Sequence, residues 1–423
     1  MLKKKNFYHE PHEHHELFAH ILSLFDLVRV VCGKIHTYWI ASRLSFMGNF
    51  KESGKDTVFI VVASLLTILV LLIPTGFEGS GVYSNAVRAK VRVVEVNNER
   101  LKIIGPVRQG EQQLEVEILS KRFKGQIHST SNNMIGKMEL DKAYVKGNIA
   151  FAVINLTEDG QIANVQIIDH YRTDKTIILG ILFIVAMIII MGWMGFKILI
   201  TFVFSVAMLV RVLYPMILRG WDPIIGALII TMLITALIMF LVGGLTRRAL
   251  TAFLGASGGV IFTTILAFVF TFWFKIHGAV RPFTETLLFT GYGHLNLAHL
   301  FIAGIFIAAS GAMMDLSMDV AAAMDEIKNQ QPAITRLGLM RSGFTVARQA
   351  AGTMSTTLLL AYSAEYTAMI MTFLAQGVPL ENVINMVWVS SEVVHTLVGC
   401  FGLTLVAPLT VFAGGMLLGK KNV

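Results

Sequence analysis

Cysteine is nearly absent: the 423-residue chain has two, Cys32 and Cys400. Two thiols, one expected in the cytosol and one in a membrane helix, provide no disulfide framework, so any external part must fold without one. Charge is also scarce, with Asp, Glu, Lys and Arg together making up 15% of the residues against 55% hydrophobic. The mean hydropathy of +0.66 excludes an ordinary soluble enzyme and indicates a polytopic membrane protein. No P-loop, His-Glu-x-x-His or Cys-x-x-Cys occurs, so neither ATP hydrolysis nor other catalysis is expected. Gly255-Ala256-Ser257-Gly258-Gly259 superficially resembles a nucleophile elbow, but it sits in an apolar helix without a base. Lys3, Lys4 and Lys5 are not followed by a short apolar core and cleavage site, so no cleavable signal peptide is expected.

Runs long enough to cross about 30 Å of hydrocarbon predict eight spans near 57–76, 175–194, 196–217, 223–244, 249–274, 294–314, 350–375 and 384–416. The first serves as a signal anchor, and the last is long enough to be tilted or broken. Lys51/Lys55, Lys197, Arg247/Arg248, Arg336/Arg341/Arg348 and Lys420/Lys421 then share one side, while Arg219, Lys275 and Arg281 fall on the other. By the positive-inside rule both termini are cytoplasmic. The net charge of +8 is chiefly this topology signal and favours anionic lipid headgroups over nucleic acid. Trp193, Trp221 and Trp273 stand near span ends, where interfacial anchors belong.

Residues 77–174 differ in character. Val- and Ile-rich stretches at 89–96, 101–104, 114–119, 149–154 and 162–168 alternate with turn-formers such as Ser131-Asn132-Asn133 and Asp159-Gly160. About five strands in this length predict a small extracytoplasmic β-barrel-like domain, closed or half-closed and OB-like in outline. It lacks the interleaved aromatics of an OB-type nucleic-acid binder. A structural cap and a ligand-binding or wall-facing role both stay open for it. Residues 1–50 form a cytoplasmic His-rich segment followed by a helical pattern broken by Asp26, Arg29 and Lys34, which reads as an amphipathic helix on the inner leaflet. His9, His12, His14 and His15, interspersed with Glu10, Glu13 and Glu16, are candidate transition-metal ligands or a solvated tract with no metal role.

Asp315, Asp319 and Glu326 fall within roughly 40° on a helix, in a stretch that otherwise suits lipid. A carboxylate in hydrocarbon costs at least about 2.5 kcal/mol, so Asp315 and Asp319 are candidates for a cation or proton path facing a cavity. The alternative is a helix that has left the membrane, with Asp325 and Glu326 solvated near Lys328. Arg211, Glu365, Glu392 and His395 also interrupt apolar spans. Glu392 and His395, one turn apart, suit a proton relay; a locking pair between Arg211 and Glu392 is the alternative. Ser310 and Thr353 can add oxygen ligands for a bound divalent cation; no other cofactor is expected.

Several motifs resemble the YibE/F family of bacterial multi-pass membrane proteins. They are Gly255–Gly259; Ala309-Ser310-Gly311-Ala312-Met313-Met314-Asp315 with Met318-Asp319 and Met324-Asp325-Glu326-Ile327; Gly352-Thr353-Met354-Ser355-Thr356-Thr357-Leu358 with Ala361-Tyr362; and Glu392-Val393-Val394 with Gly399, Gly402 and Pro408. The resemblance covers roughly residues 57–417. Departures are Ala347-Arg348-Gln349, where the family tends to Gly-Arg-Asp, and His395, where Arg is common. The resemblance implies a multi-pass protein of the bacterial cytoplasmic membrane. From the residues, the expectation is a secondary transporter or channel moving a cation or small solute. The competing expectation is an envelope scaffold whose outer domain binds a partner. A homo-oligomer is compatible with either.

Overall fold

The computed structural model describes residues 54–77 and 86–419. The N-terminal segment with His9, His12, His14 and His15, and its expected amphipathic helix, lie outside the described residues. Contacts divide the chain into two units at Val61/Val62. Of the first unit, the described part is the opening of helix α1 (Gly54–Leu72).

In the second unit, six strands form one antiparallel sheet: β1 (Ala86–Asn97), β2 (Leu101–Ile104), β3 (Val107–Ile118), β4 (Ile127–Ile135), β5 (Ile149–Leu156) and β6 (Ile162–His170). The order is β2-β3-β1-β5-β6, with β4 on the other edge of β3. Residues at alternate positions point to the same face of a strand, and here those positions are apolar: Ala89, Val91 and Val93 on β1, Leu114, Val116 and Ile118 on β3, and Ala150, Ala152 and Ile154 on β5 are all buried. The sheet curls into a half-barrel, with Thr130 Oγ1 on β4 donating to the Val165 carbonyl on β6 at 2.6 Å. Buried Gln112 is fully engaged. Its Nε2 donates to Tyr144 O and Asn98 Oδ1 at 2.9 and 2.8 Å, and its Oε1 accepts from Tyr144 N and Asn132 Nδ2. All five expected strands are present. The additional β4 incorporates Ser131-Asn132-Asn133, which the sequence marks as a turn.

The helices that follow are α2 (Thr173–Ala207), a π-helical turn (Met208–Leu213), α3 (Tyr214–Leu218), α4 (Pro223–Gly243), α5 (Arg247–Trp273), α6 (Thr284–Phe289), α7 (Leu297–Gln330), α8 (Arg336–Glu365), α9 (Thr367–Ala375), α10 (Leu380–Asn385) and α11 (Val387–Leu418). Among the described residues, five helical elements are long and apolar enough to cross a membrane, with Thr173–Leu218 counted as one; α8 and α9, bent by 62°, make a sixth if taken together. The Thr173–Leu218 element is not straight. Gly192 has φ 56° and ψ −129°, a left-handed conformation that glycine adopts without strain. Phe183 and Phe202, which a straight helix would hold about 28 Å apart, have ring centroids 5.8 Å apart. The element therefore folds back on itself near Gly192, close to the expected boundary between 175–194 and 196–217.

Sequence-encoded caps start the helices. Asp222 accepts from the Ile224 and Ile225 amides ahead of α4, Thr246 from Ala249 ahead of α5, Asn296 from His299 ahead of α7, and Thr335 from Gly338 ahead of α8. These bonds satisfy donors that each helix leaves unpaired. The core is built around α5, α7, α8 and α11, with Ile302, Phe306, Met313, Val260 and Leu403 fully enclosed. Glycines allow the close approach: a Cβ at Gly402 would overlap Thr263 Oγ1, and one at Gly259 would overlap Val406. The Gly255–Gly259 run is thus a packing surface for α11, which accounts for it without a nucleophile.

Candidate functional site

Glu365 ends α8, and Glu392 and His395 lie one turn apart on α11. Arg281, from the loop between α5 and α6, draws all three together. Its Nη1 lies 3.2 Å from Glu365 Oε2 and donates to the Tyr366 hydroxyl at the bend between α8 and α9. Its Nη2 lies 3.2 Å from Glu392 Oε1 and 3.1 Å from His395 Nδ1. The pairing grades from wet to dry: side-chain exposure is 62% for Glu365, 31% for Arg281, 10% for Glu392 and 6% for His395. Removing one partner from a buried pair leaves an uncompensated charge, so Arg281 locks the loop to α11 as well as to the bend.

A guanidinium can only donate, so His395 Nδ1 must accept from Arg281 and present a lone pair. Glu392 Oε2, 3.7 Å from the same nitrogen, is buried without a hydrogen-bond partner among the described residues. The Tyr362 ring lies on His395 with centroids 4.4 Å apart and an interplanar angle of 37°. Its hydroxyl is likewise buried and unpartnered. The absence of a side chain at Gly399 leaves room for that ring, since a Cβ there would sit 3.2 Å from Tyr362 Cε2.

A cavity of about 410 Å³ adjoins the cluster, with Arg281, Glu365, Tyr362 and His395 on its wall beside Leu213, Tyr214, Gly304, Ile307 and Ala308. Along α7 the exposed positions run Gly304, Ala308, Gly311, Asp315, Asp319 and Glu326. The cavity wall and the acid stripe thus share one helix face. Asp315 and Asp319 have neither a hydrogen bond nor a salt bridge among the described residues. Glu326 accepts from Gln330 Nε2 at 2.9 Å, and Lys328 donates to Pro332 O instead of pairing with the acids.

The other sequence-derived candidates do not converge. Ser310 is buried on the opposite side of α7, its hydroxyl donating to Ile307 O at 2.7 Å. Thr353 is exposed on α8 and donates to its own helix backbone. Neither joins Asp315 in a ligand set, and no group of three His, Cys, Asp or Glu arranged to hold a metal occurs among the described residues. Arg211 is half-buried in the π-helical turn. Glu392 takes a cation from Arg281, a partner that the alternative of an Arg211–Glu392 pair did not name. The sequence reading used Arg281 only as a topology charge; two carboxylates inside apolar spans, in need of a cation, were the available signal.

A second polar contact lies near the start of α4 and α7. His299 Nδ1 and Asp222 Oδ2 are 2.5 Å apart. Burial alone would raise the Asp222 carboxyl, but the bonds from His299 and the Ile225 and Ile224 amides outweigh it and hold it below its ordinary range. Arg219 Nη2 donates to Thr75 O at 2.8 Å, and Phe77 meets Tyr292 edge-on at 6.4 Å. These contacts place the end of α1, the α3–α4 turn and the loop before α7 at one end of the bundle.

On the half-barrel, a groove of about 570 Å³ is lined by Glu95, Glu111 and Glu115 with Asn97, Gln113 and three hydroxyl residues of β4. Comparison with curated proteins and with solved structures finds no significant match. The family model described as YibE/F-like protein matches residues 179–420, covering most of the helical region and leaving α1 and the half-barrel outside. That match spans more than half of the chain, and the protein belongs to the YibE/F-like family.

Proposed function

We propose that this protein is a secondary transporter or channel of the bacterial cytoplasmic membrane, moving a cation or small solute along one face of α7. The observation that carries the reading is the shared face: Gly304 and Ala308 line the cavity beside the buried charge cluster, and Gly311, Asp315 and Asp319 continue it along the helix. Small residues keep such a track open, and acids within a membrane helix favour a wet environment. Counting α1 as a crossing, the two arms of the Gly192 hairpin separately, and α8 with α9 as one span gives eight crossings with both termini cytoplasmic. The half-barrel and Arg281 are then extracytoplasmic. No covalent chemistry enters this reading, and the only resident ligand it allows is a divalent cation.

The test is flux in proteoliposomes across a panel of monovalent and divalent cations, comparing the full chain, Asp315→Asn and a deletion of residues 1–16. Flux lost in Asp315→Asn supports the path. Equal flux from all three removes the acids and the N-terminal histidines from the mechanism.

A second reading, an envelope scaffold, is favoured by the glutamate-lined groove of the half-barrel, a surface suited to a basic partner. No cation flux from a folded sample, together with capture of a basic envelope polypeptide by the intact protein, would favour it.

A further inference from the structure

We infer that Glu392 Oε2 and His395 Nδ1 form a proton-binding site, and that occupancy of this site releases Arg281 from α11. The inference rests on the transport reading and supplies its coupling ion. Its basis is an unmade bond: a buried carboxylate oxygen without a partner stands 3.7 Å from a ring nitrogen whose lone pair is engaged by Arg281. One proton resolves the mismatch. Added to Nδ1 from solvent reaching the cavity, it makes the imidazole a donor to Glu392 Oε2 and leaves Arg281 Nη2 without that acceptor. Imidazolium and guanidinium then repel one another across the 3.1 Å contact. Arg281 keeps Glu365 and Tyr366, at the bend between α8 and α9, while its remaining hold on α11, the 3.2 Å contact with Glu392 Oε1, weakens because the imidazolium now shares that carboxylate. Deprotonation reverses each step, and no other bond forms or breaks.

Among the described residues the neighbouring ionisable groups are few, and Tyr214 of α3 shares the cavity wall. Arg281 faces the pair from the loop, and Glu365, Tyr366 and Tyr362 from α8 and the bend. On α11 itself, Cys400 donates to Ser355 O. Helix α5 carries its ionisable residues, Arg247 and Arg248, only in its first turn, and α10 carries Glu381, which is exposed. Near this end α7 offers His299, already engaged by Asp222; its acids begin at Asp315. The His395–Glu392 pair is therefore the group at which a single proton changes the pairing of the loop.

The test is a spin-label distance between Phe289, on the loop side of the lock, and Leu380, beside α11, measured in full-length protein in lipid nanodiscs with Cys32 and Cys400 replaced. The distance distribution is expected to shift on acidification from about pH 8 to about pH 5. His395→Gln should keep the high-pH distribution throughout, Glu392→Gln should lose the response, and His299→Gln should respond as the parent does. An unchanged parent distribution, a full response in His395→Gln or Glu392→Gln, or a response abolished by His299→Gln overturns the proton site. Cation flux without the distance shift removes this site and leaves the transport path. The shift without flux removes the transport reading and leaves the site.

Discussion

Arg281 and Glu392, 111 positions apart in sequence, meet at 3.2 Å. This contact ties the loop between α5 and α6 to the most buried carboxylate of the cluster. Its weight comes from what each group would face alone, since a buried charge without its partner costs about 3–5 kcal/mol.

Arg281→Met should therefore lower the unfolding midpoint strongly, and Arg281→Met with Glu392→Gln should recover part of the loss. In a double-mutant cycle the coupling is expected at about 1–3 kcal/mol. Additive losses in denaturant titrations of the purified protein would show that the two groups do not act together.

Gly402→Ala should destabilise by about 1–3 kcal/mol, the usual range for overpacking a core, because its Cβ would overlap Thr263 Oγ1 and crowd Met313. Thr263→Ala should relieve part of that loss. Gly352→Ala is the control: an added Cβ there meets no atom within 4 Å, so its unfolding midpoint should hold or rise slightly. Thermal unfolding followed by tryptophan fluorescence separates the three variants.

Much of this packing was legible before any coordinates. The glycine runs and the Val- and Ile-rich strand stretches are local patterns tied to local geometry. Strand β4 was hidden because Ile127–Ile135 buries only Met134; a strand whose other face is polar carries little hydrophobic signal. The helix that carries the span expected at 350–375 begins earlier, at Arg336, and its Leu339, Gly343 and Ala347 are buried although Arg341 and Arg348 interrupt the apolar pattern there. The site was half visible. Glu365, Glu392 and His395 stood out as ionisable groups in apolar runs, whereas Arg281 lay in a loop and nothing near it in sequence marks its partners. Ser310 and Asp315, five residues apart, fall on different faces of α7, so proximity in sequence overstated their kinship.

The hairpin at Gly192 is open to a direct check. Phe183→Cys with Phe202→Cys, in a background lacking Cys32 and Cys400, should form an intramolecular link with a short bifunctional maleimide, since the native rings are 5.8 Å apart. The link would appear on peptide mapping as one bridge between the two arms. A straight helix, with these positions about 28 Å apart, would give none.

Asp222 predicts an acid-side effect. Its folded-state carboxyl titrates below the ordinary range because His299 and two backbone amides favour the charged form over the cost of burial. A depressed carboxyl contributes stability that is fully present above the unfolded value of about 3.9 and lost as pH falls through the folded value. Asp222→Asn keeps a capping oxygen but removes the charge. The melting-temperature gap between parent and variant should therefore be widest near neutral pH and close on acidification below about pH 4. A gap independent of pH would assign the effect to capping alone.

The central claim, that the face of α7 running from the cavity to Asp315 is a wet path, is tested most directly by reactivity with a charged, membrane-impermeant thiol reagent. Single cysteines at Gly304, Ala308, Gly311 and Asp315 would be compared with Ile229 and Leu233 on the exposed face of α4, all in cysteine-free protein in native membranes. The account predicts modification along the α7 series, at least several-fold faster than at the α4 positions. Uniform protection of Gly304, Ala308, Gly311 and Asp315, in variants that fold and insert normally, would contradict it.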